Sequence, residues 1–380
     1  MRARRLPLLP PERRSRGLTL VEIMVGVAIG LIGTVAIFQA VGAWSRHTQT
    51  TSAGADAQVA GTLALFNIER DVKAAGHGFG TAAAEVMGCA VTSVLPGPPF
   101  NLRPITIQQG AGGAPDTISI LYGNSPFFVA EGRFTSSTAT TKTLVRRSGF
   151  RRGDVAVVAG PGVGAAPGSA PCELIEVTDD GNLDGLTVAH TAGNYPNFYQ
   201  GAAVAARFNG VAAPPALAAG TIYSLGPQPT LNVWSITGGR VLSRTEQFAA
   251  TPPIPVAEGV VNIKAEYGVD LNNDGQIANA EWQTAAPADF RTVLAIRVAV
   301  LVRSRQFERN GDSSSTVAAP VTPNVPTYFA YSGAKLFLMT NIDGTADSNL
   351  PADPNNWRYY RYRVYERVIP LRNVLWGTYG

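Results

Sequence analysis

The chain has 380 residues, of which 45% are hydrophobic and 15% charged, with 40 Gly and 27 Pro. This composition excludes a disordered protein, which needs low hydrophobicity and high net charge, and it favours a β-rich body with many loops. Residues 1–17 carry six Arg and one Glu. Without them, 25 basic and 26 acidic side chains remain, so the net charge changes from +4 to −1. A body without excess positive charge is not favoured to bind nucleic acid.

A hydrophobic segment follows this basic leader. Residues 18–44 contain one charged side chain, Glu22, and are longer than the roughly 20 residues that cross a bilayer core. The preceding arginines predict a cytoplasmic N-terminus. The apolar stretch is too long for a cleaved secretory signal, and no A-x-A-like pattern closes it. A plain membrane anchor fits the length but does not account for Glu22, because an acid within a membrane costs about 2.5 to 3.5 kcal/mol and normally marks function.

The residues around Glu22 account for both the length of the apolar segment and the acid within it. The run RGLTLVEIMV resembles the signature of type IV prepilins and type II secretion pseudopilins, in which a basic leader ends in Gly and Glu is the fifth mature residue. Leu18 stands where Phe is usual. The resemblance implies that a prepilin peptidase cleaves after Gly17 and methylates the new amino terminus at Leu18. We expect Glu22 to act in assembly, because a carboxylate in lipid is less costly when it pairs with the amino terminus of a neighbouring subunit.

The N-terminal helix is predicted to span residues 18–76, with a membrane-spanning first half. Apolar residues at three- to four-residue spacings predict an amphipathic second half that lies on a globular domain. Glycines after residue 75 predict its end. Gly26, Gly30 and Gly33 lie near one face of the membrane half, which indicates either close helix packing or ordinary glycine enrichment. The face predicted to pack on the body consists of Ala55, Val59, Leu63, Phe66 and Val72.

The rest of the chain, residues 77–380, is predicted to form a β-rich domain outside the cytoplasm. Short β-branched runs alternate there with Gly- and Pro-rich loops. The fold class is therefore α+β and pilin-like, a long N-terminal helix packed on a large β-rich globular domain. His47, His77 and His190 are widely spaced, and no catalytic motif is present, so we expect no enzyme. The predicted strands are 117–122, 154–158, 173–178, 230–236, 260–267 and 293–302.

The two cysteines, Cys89 and Cys172, both follow the hydrophobic segment. If this part of the chain is exported, the oxidising compartment favours a disulfide between them. Two unrelated buried thiols are the alternative.

A calcium-type loop is predicted at residues 270–281, DLNNDGQIANAE, which matches the twelve-residue pattern D-x-[DN]-x-[DN]-G-x5-E. Gly275 would allow the sharp turn, and oxygen ligands at this spacing suit Ca²⁺. A polar turn rich in Asn and Asp is the alternative. The segment before the loop has a strand pattern, so EF-hand helices are not expected. The predicted ligands are Asp270, Asn272, Asp274, Gln276 and Glu281.

Three C-terminal stretches, residues 256–270, 293–305 and 362–373, resemble the PilW group of type IV pilus minor pilins. The resemblance implies a subunit that helps to initiate pilus assembly, first in the inner membrane and then at the pilus or cell surface. Its implied partners are the prepilin peptidase, other minor pilins and the major pilin, an inner-membrane assembly platform and a tip adhesin.

Three other functions stay open. They are a J-like type II secretion pseudopilin, an anchored adhesin or DNA-uptake module, and an exported enzyme that uses the N-terminus only as an anchor. The Arg- and Tyr-rich residues 358–367 are the candidate for DNA contact, although a packed strand is favoured there.

Overall fold

The computed structural model describes residues 17, 19–94, 100–126, 131–164, 166–180, 185–211, 214–215, 217–305, 322, 324–330, 333–339 and 357–379. The chain forms two compact units, Met1–Ala53 and Gly54–Gly380. The second unit, called the body below, contains all the strands that the structure describes.

The first helix, α1, spans Leu20–Ala74. Glu22 lies in its first turn and Lys73 in its last. A negative charge at the N-terminus and a positive charge at the C-terminus both interact favourably with the helix dipole. The helix ends where Gly76 takes a φ of +78°, a left-handed conformation that glycine adopts without a Cβ penalty. The Gly76 amide then donates to the carbonyl oxygen of Leu121 at 2.9 Å, so the chain leaves the helix already bonded to a strand.

The strands are mostly short and follow one another along the body. The first twelve are β1 (Ala90–Thr92), β2 (Phe100–Asn101), β3 (Ile105–Gln108), β4 (Thr117–Tyr122), β5 (Gly132–Ser137), β6 (Thr141–Leu144), β7 (Val155–Ala159), β8 (Cys172–Glu176), β9 (Thr187–Ala189), β10 (Asn194–Pro196), β11 (Ala203–Ala205) and β12 (Gly220–Gly226). The remaining elements are β13 (Thr230–Thr237), β14 (Val241–Glu246), β15 (Ile254–Glu258), β16 (Val260–Val269), β17 (Trp282–Gln283), β18 (Val293–Arg303), β19 (Thr327–Tyr328), β20 (Lys335–Leu336), β21 (Tyr362–Pro370) and the short helix α2 (Arg372–Tyr379).

Six strands, in the order β8-β7-β12-β5-β6-β9, curl into a small barrel. Strand β9 pairs with β6 on one side. On its other side, Ala189 of β9 exchanges backbone hydrogen bonds with Asp179, in the segment that continues β8, so the ring closes. Alternating residues point inward and form a core of their own. That core contains Phe134, Leu144, Phe150, Ala156, Val158, Ile175, Val177, Val188, Leu217 and Ile222.

Two further sheets complete the body. One has the order β15-β14-β13-β4-β3, and the other has the order β17-β16-β18-β21. Every residue of β16 and of β18 is buried, because both faces of this sheet are covered. The large core on one face includes Ile68 and Val72 of α1. A smaller core on the other face includes Phe329, Phe337 and Trp357.

The predicted fold class is confirmed, because an apolar N-terminal helix precedes a large β-rich domain. All six predicted strands are present, with ends that differ by one or two residues at most positions. Residues 362–367 of the candidate DNA contact lie in strand β21, which pairs along its length with β18.

Candidate functional site

The candidate processing and assembly segment lies at the start of α1. Gly17 is exposed, and Leu18 lies outside the described residues. The Glu22 Oε2 atom accepts hydrogen bonds from both the backbone amide and the hydroxyl of Thr19, each at 2.9 Å. The Glu22 amide in turn donates to the Thr19 hydroxyl at 3.3 Å. This reciprocal pair caps the N-terminus of α1, so the Glu22 carboxylate is satisfied by its own chain.

The first part of α1, Leu20–Gly42, exposes apolar side chains on all sides. Residues Leu20–Gly42 have a mean hydropathy of 2.4 and are long and apolar enough to cross a membrane. None of this span is buried within the protein. At Gly26, Gly30 and Gly33, no other atom lies within 4 Å of the position that a Cβ would occupy, so another helix could approach closely there. A continuous apolar surface of this extent requires lipid or protein to cover it.

The face of α1 that packs on the body differs from the predicted one. Of the five predicted residues, Val72 is buried, whereas Val59, Leu63 and Phe66 are 67%, 42% and 62% exposed. Ala55 is also exposed. Half of the residues that face the body are Gly or Ala, and the full set is Ala57, Gly61, Ala64, Leu65, Ile68 and Val72.

Close approach of strand β21 is the physical reason for this correction. A Cβ on Gly61 would lie 2.2 Å from the ring of Tyr365, which is closer than atoms can approach. Where β21 approaches, the packed face therefore requires a small residue, whereas a periodicity argument gives most weight to large ones. The large residues Val59, Leu63 and Phe66 form a second, uncovered row, called the outer row below.

A buried carboxylate fixes α1 to the sheet that contains β13. Asp71 is only 2% exposed, and its Oδ2 atom accepts from Asn232 Nδ2 at 2.8 Å and Trp234 Nε1 at 3.0 Å. The Tyr122 hydroxyl donates to the other carboxylate oxygen at 3.4 Å. Burial, together with the Asp71 charge, raises the pKa of Tyr122. Sequence reasoning missed this site, although an acid among the apolar residues of an amphipathic helix is a signal that could have marked it.

The C-terminal segment contacts the last turn of α1. The Asn373 side-chain amide donates to the carbonyl oxygens of Ala74 and Ala75, at 3.1 and 3.0 Å, and so satisfies groups that a helix end leaves unpaired. Glu69 forms ion pairs with Lys73 at 2.6 Å and with Arg367. The Lys73 hydrogen bond, with support from Arg367, lowers the pKa of Glu69. Asn373, which lies in one of the three stretches that carry the resemblance, therefore has a physical role at the end of α1.

The predicted calcium loop folds as a series of tight turns between β16 and β17. The Asp270 carboxylate accepts from the amides of Asp274 and Gly275, at 3.1 and 2.9 Å. The Glu281 carboxylate accepts from the amides of Leu271 and Ala278, at 3.0 and 2.7 Å. Gly275 has a φ of +76°, the left-handed conformation that a sharp turn requires. The part of the chain that the structure describes contains no group of three or more His, Cys, Asp or Glu side chains placed to hold a metal ion.

The other ligands predicted for this loop lie at its exposed tip. Asn272 Nδ2 donates to Asp274 Oδ2 at 2.9 Å, and the Gln276 amide donates to Asp274 Oδ1 at 2.8 Å. Turn-forming contacts of this kind are compatible with both interpretations of the sequence, so calcium binding stays a prediction.

The predicted disulfide is present. Cys89 and Cys172 are bonded, with Cα atoms 6.1 Å apart. Strand β1 pairs in parallel with β8 at this point, with Val91 opposite Cys172. The bond therefore joins the first strand of the barrel order to the segment that follows α1.

Comparison with known protein families gives two matches. Residues 228–373 match the model described as Type IV Pilus-assembly protein W, and residues 13–38 match the Prokaryotic N-terminal methylation motif. No curated protein and no solved structure matches the chain. The two matches confirm the predicted resemblance to PilW-like prepilins, and the chain is a type IV pilus-related, pilin-like protein. Its apolar N-terminal helix and prepilin-type motif fit anchoring in an inner membrane.

Proposed function

We propose that this type IV pilus-related protein is a minor pilin, a non-enzymatic subunit that helps to start the filament and sits at its tip. One observation carries the proposal: the same chain has a prepilin-type N-terminus and a match to the pilus-assembly protein W family over much of its C-terminal half. Its proposed partners are the prepilin peptidase, other minor pilins and the major pilin, the inner-membrane assembly platform and a tip adhesin. Its body would lie in the periplasm before assembly and outside the cell afterwards.

The size of the body supports a tip position. About 300 residues follow α1, and the barrel adds bulk beyond the sheets that hold the helix. Repeating such a body in every subunit of a tightly packed shaft would cause steric conflict, whereas one copy at the tip is tolerated.

The uncovered surface of α1 supports assembly through this helix. The span Leu20–Gly42 is apolar on all sides, and the outer row of Val59, Leu63 and Phe66 is an exposed apolar surface on the part of α1 that belongs to the body. Burial of the outer row against neighbouring helices would stabilise a filament by about 25 cal/mol per Å² of apolar area removed from water.

Replacement of Glu22 tests the proposal. The full-length Glu22→Ala variant, expressed in cells that lack the wild-type copy, should be cleaved after Gly17 and methylated at Leu18 like the wild type. It should nevertheless enter sheared pili far less efficiently. Thr34→Ala is the matched control, because Thr34 lies in the same exposed segment and bonds only to the carbonyl of Leu31. Mass spectrometry of the mature N-terminus and immunoblots of sheared pili give the two measurements.

Deletion of the whole chain separates the rival functions. Loss of surface pili and of pilus-driven motility supports the minor pilin, whereas normal piliation with a defect in protein secretion identifies a J-like pseudopilin. Normal piliation with loss of attachment or DNA uptake identifies an anchored adhesin or uptake module. Either of the last two results would overturn the proposal.

We also propose that the loop at residues 270–281 binds Ca²⁺ and stabilises this edge of the body. The left-handed Gly275 at the sixth position and the oxygen-rich side chains before it support the proposal. Calcium should raise the melting temperature of the full-length protein, and Asp274→Ala should abolish the increase. Asp56→Ala, which changes an exposed acid on α1, is the control. An equal melting temperature with calcium and with chelator would exclude a structural calcium site.

A further inference from the structure

A cavity of about 400 Å³ lies at one end of the barrel. Because neighbouring strands of the barrel are antiparallel, the ends of β5 and β7 meet the beginnings of β6, β8 and β12 at this end. The β5–β6 turn and the described residues Pro214, Pro215 and Ala218 before β12 form its rim. Its lining includes Thr138, Lys142, Glu173, Pro214, Pro215 and Leu217. The end of a small barrel is a common position for a ligand site.

Two oppositely charged side chains line this cavity although both are more than nine-tenths buried. Lys142 is 2% exposed and Glu173 is 4% exposed. Lys142 lies on the inward face of β6, as does Leu144, and Glu173 lies on the inward face of β8, as does Ile175. Burial lowers the pKa of Lys142 and raises the pKa of Glu173, and the attraction between the two opposite charges offsets part of each shift.

The hydrogen bonds of the two groups are incomplete. The Lys142 ammonium donates to the carbonyl oxygen of Thr138 at 3.2 Å and to Nε2 of His190 at 2.9 Å. Among the residues that the structure describes, its third N–H bond has no acceptor. His190 is buried, and its pKa is lowered to about 4 by burial and by the Lys142 charge, so at neutral pH the ring accepts this bond. Within the described part of the chain, the Glu173 carboxylate accepts no hydrogen bond.

These features define the chemistry of a ligand. It must donate a hydrogen bond to Glu173 and accept one from Lys142, and the opposite charges of the two side chains favour a ligand with no net charge. Adjacent hydroxyl groups on a sugar ring do both. Pro214, Pro215 and Leu217 offer an apolar surface for the C–H face of the ring. The volume accommodates one or two sugar units, and exposed Ala139 and Ala218 on the rim leave room for a longer chain to extend outward.

We propose that this end of the barrel binds a neutral saccharide unit, held between Lys142 and Glu173. The site is separate from α1 and does not depend on the proposed role in pilus assembly. It gives a binding function to a region that lies outside both family matches.

Saturation-transfer NMR on the full-length protein tests this proposal. The protein is kept in a detergent without a sugar headgroup, and the probes are glucose, galactose, N-acetylglucosamine, lactose, glycine and alanine. At least one of the four saccharides should bind saturably. Glu173→Gln and Lys142→Met should each weaken that binding by about tenfold or more, as expected for loss of a hydrogen bond to a charged group. Glu258→Gln, at a carboxylate that is exposed, should leave it unchanged.

A second variant keeps the test independent of folding. Ala139→Trp adds a large ring at the exposed rim and replaces neither charged group, so it should abolish binding while the melting temperature stays that of the wild type. Absence of saturable saccharide binding at tens of millimolar would overturn the proposal. So would saturable binding of glycine or alanine alone, because it would assign the site to a zwitterion, or saccharide binding that survives Glu173→Gln, Lys142→Met and Ala139→Trp.

Discussion

The C-terminal region of the body, from β13 to α2, and the barrel use buried polar groups in different ways. In the C-terminal region, Asn232, Trp234 and Asn373 all donate hydrogen bonds to α1. In the barrel, Lys142 and Glu173 instead line a cavity. The match to the pilus-assembly protein W family covers residues 228–373 and therefore includes these three donors but not the barrel. We infer that one region holds the helix of the filament subunit and that the other presents a surface of its own.

Removal of the disulfide should have the largest effect on stability. Cys89 and Cys172 are separated by 83 residues, and the chain-entropy model gives a loop of this length about 4 to 5 kcal/mol of stabilisation as an upper estimate. The Cys89→Ser, Cys172→Ser double variant should show this loss in urea unfolding. Reduced wild type should match it. Hydrogen exchange should rise mainly in the barrel, and a rise confined to residues 228–373 would contradict the division between the two regions.

Asp71→Ala should have the next largest effect. It leaves the buried Trp234 donor without its acceptor, and it leaves Asn232 Nδ2 with the longer bond to the Tyr122 hydroxyl at 3.3 Å. A buried donor without an acceptor costs about 1 to 3 kcal/mol, and with the weakened Asn232 and Tyr122 contacts we expect a loss of about 3 kcal/mol in urea unfolding. Hydrogen exchange should increase around β13 and α1 and stay unchanged in the barrel. Asp56→Ala on the exposed side of α1 is the matched control and should change stability by less than about 0.5 kcal/mol. Equal effects of the two substitutions would refute the anchoring role of Asp71.

Gly61→Ala tests the close contact between α1 and β21. The added methyl would overlap the Tyr365 ring, and overpacking of this kind costs about 1 to 3 kcal/mol. The same change at Gly54, where no atom lies within 4 Å, should instead be neutral or stabilising, because Ala favours a helix by about 1 kcal/mol over Gly.

A double-mutant cycle isolates this contact. Tyr365→Ala removes the overlapping ring, so Gly61→Ala should cost little in that background, and the coupling energy should approach the cost of the single substitution. A coupling energy near zero would show that Gly61 is required for another reason.

The sequence predicts the structural features that depend on local pattern, and it does not predict those that depend on contacts between distant residues. The apolar run of 293–302 and the alternation in 117–122 depend on local pattern, and both are strands as predicted. The packed face of α1 depends instead on which strand approaches it, and this is a long-range property that periodicity does not contain. Asn373 illustrates the same limit, since its contacts with Ala74 and Ala75 join residues almost 300 positions apart.

The barrel site was missed for a related reason. Lys142, Glu173 and His190 are distant in sequence, and each is unremarkable alone. They share one end of the barrel because β8 and β9 become neighbours only when the ring closes through Asp179 and Ala189. The disulfide could be predicted because only two cysteines are present, whereas no such restriction applies to the charged residues.

Substitutions in the outer row of α1 should have the smallest effect on the stability of the body. Their effect distinguishes the observed packed face of α1 from the predicted one. Phe66 is 62% exposed, so Phe66→Ser should change the stability of the body by less than about 0.5 kcal/mol. Ile68, two residues further along α1, is fully buried, and Ile68→Ala should cost about 2 to 5 kcal/mol in the same urea titration. Equal losses of stability at Phe66 and Ile68 would instead support the packed face that periodicity predicts. A folded Phe66→Ser variant that no longer enters pili would instead show that the outer row packs between subunits.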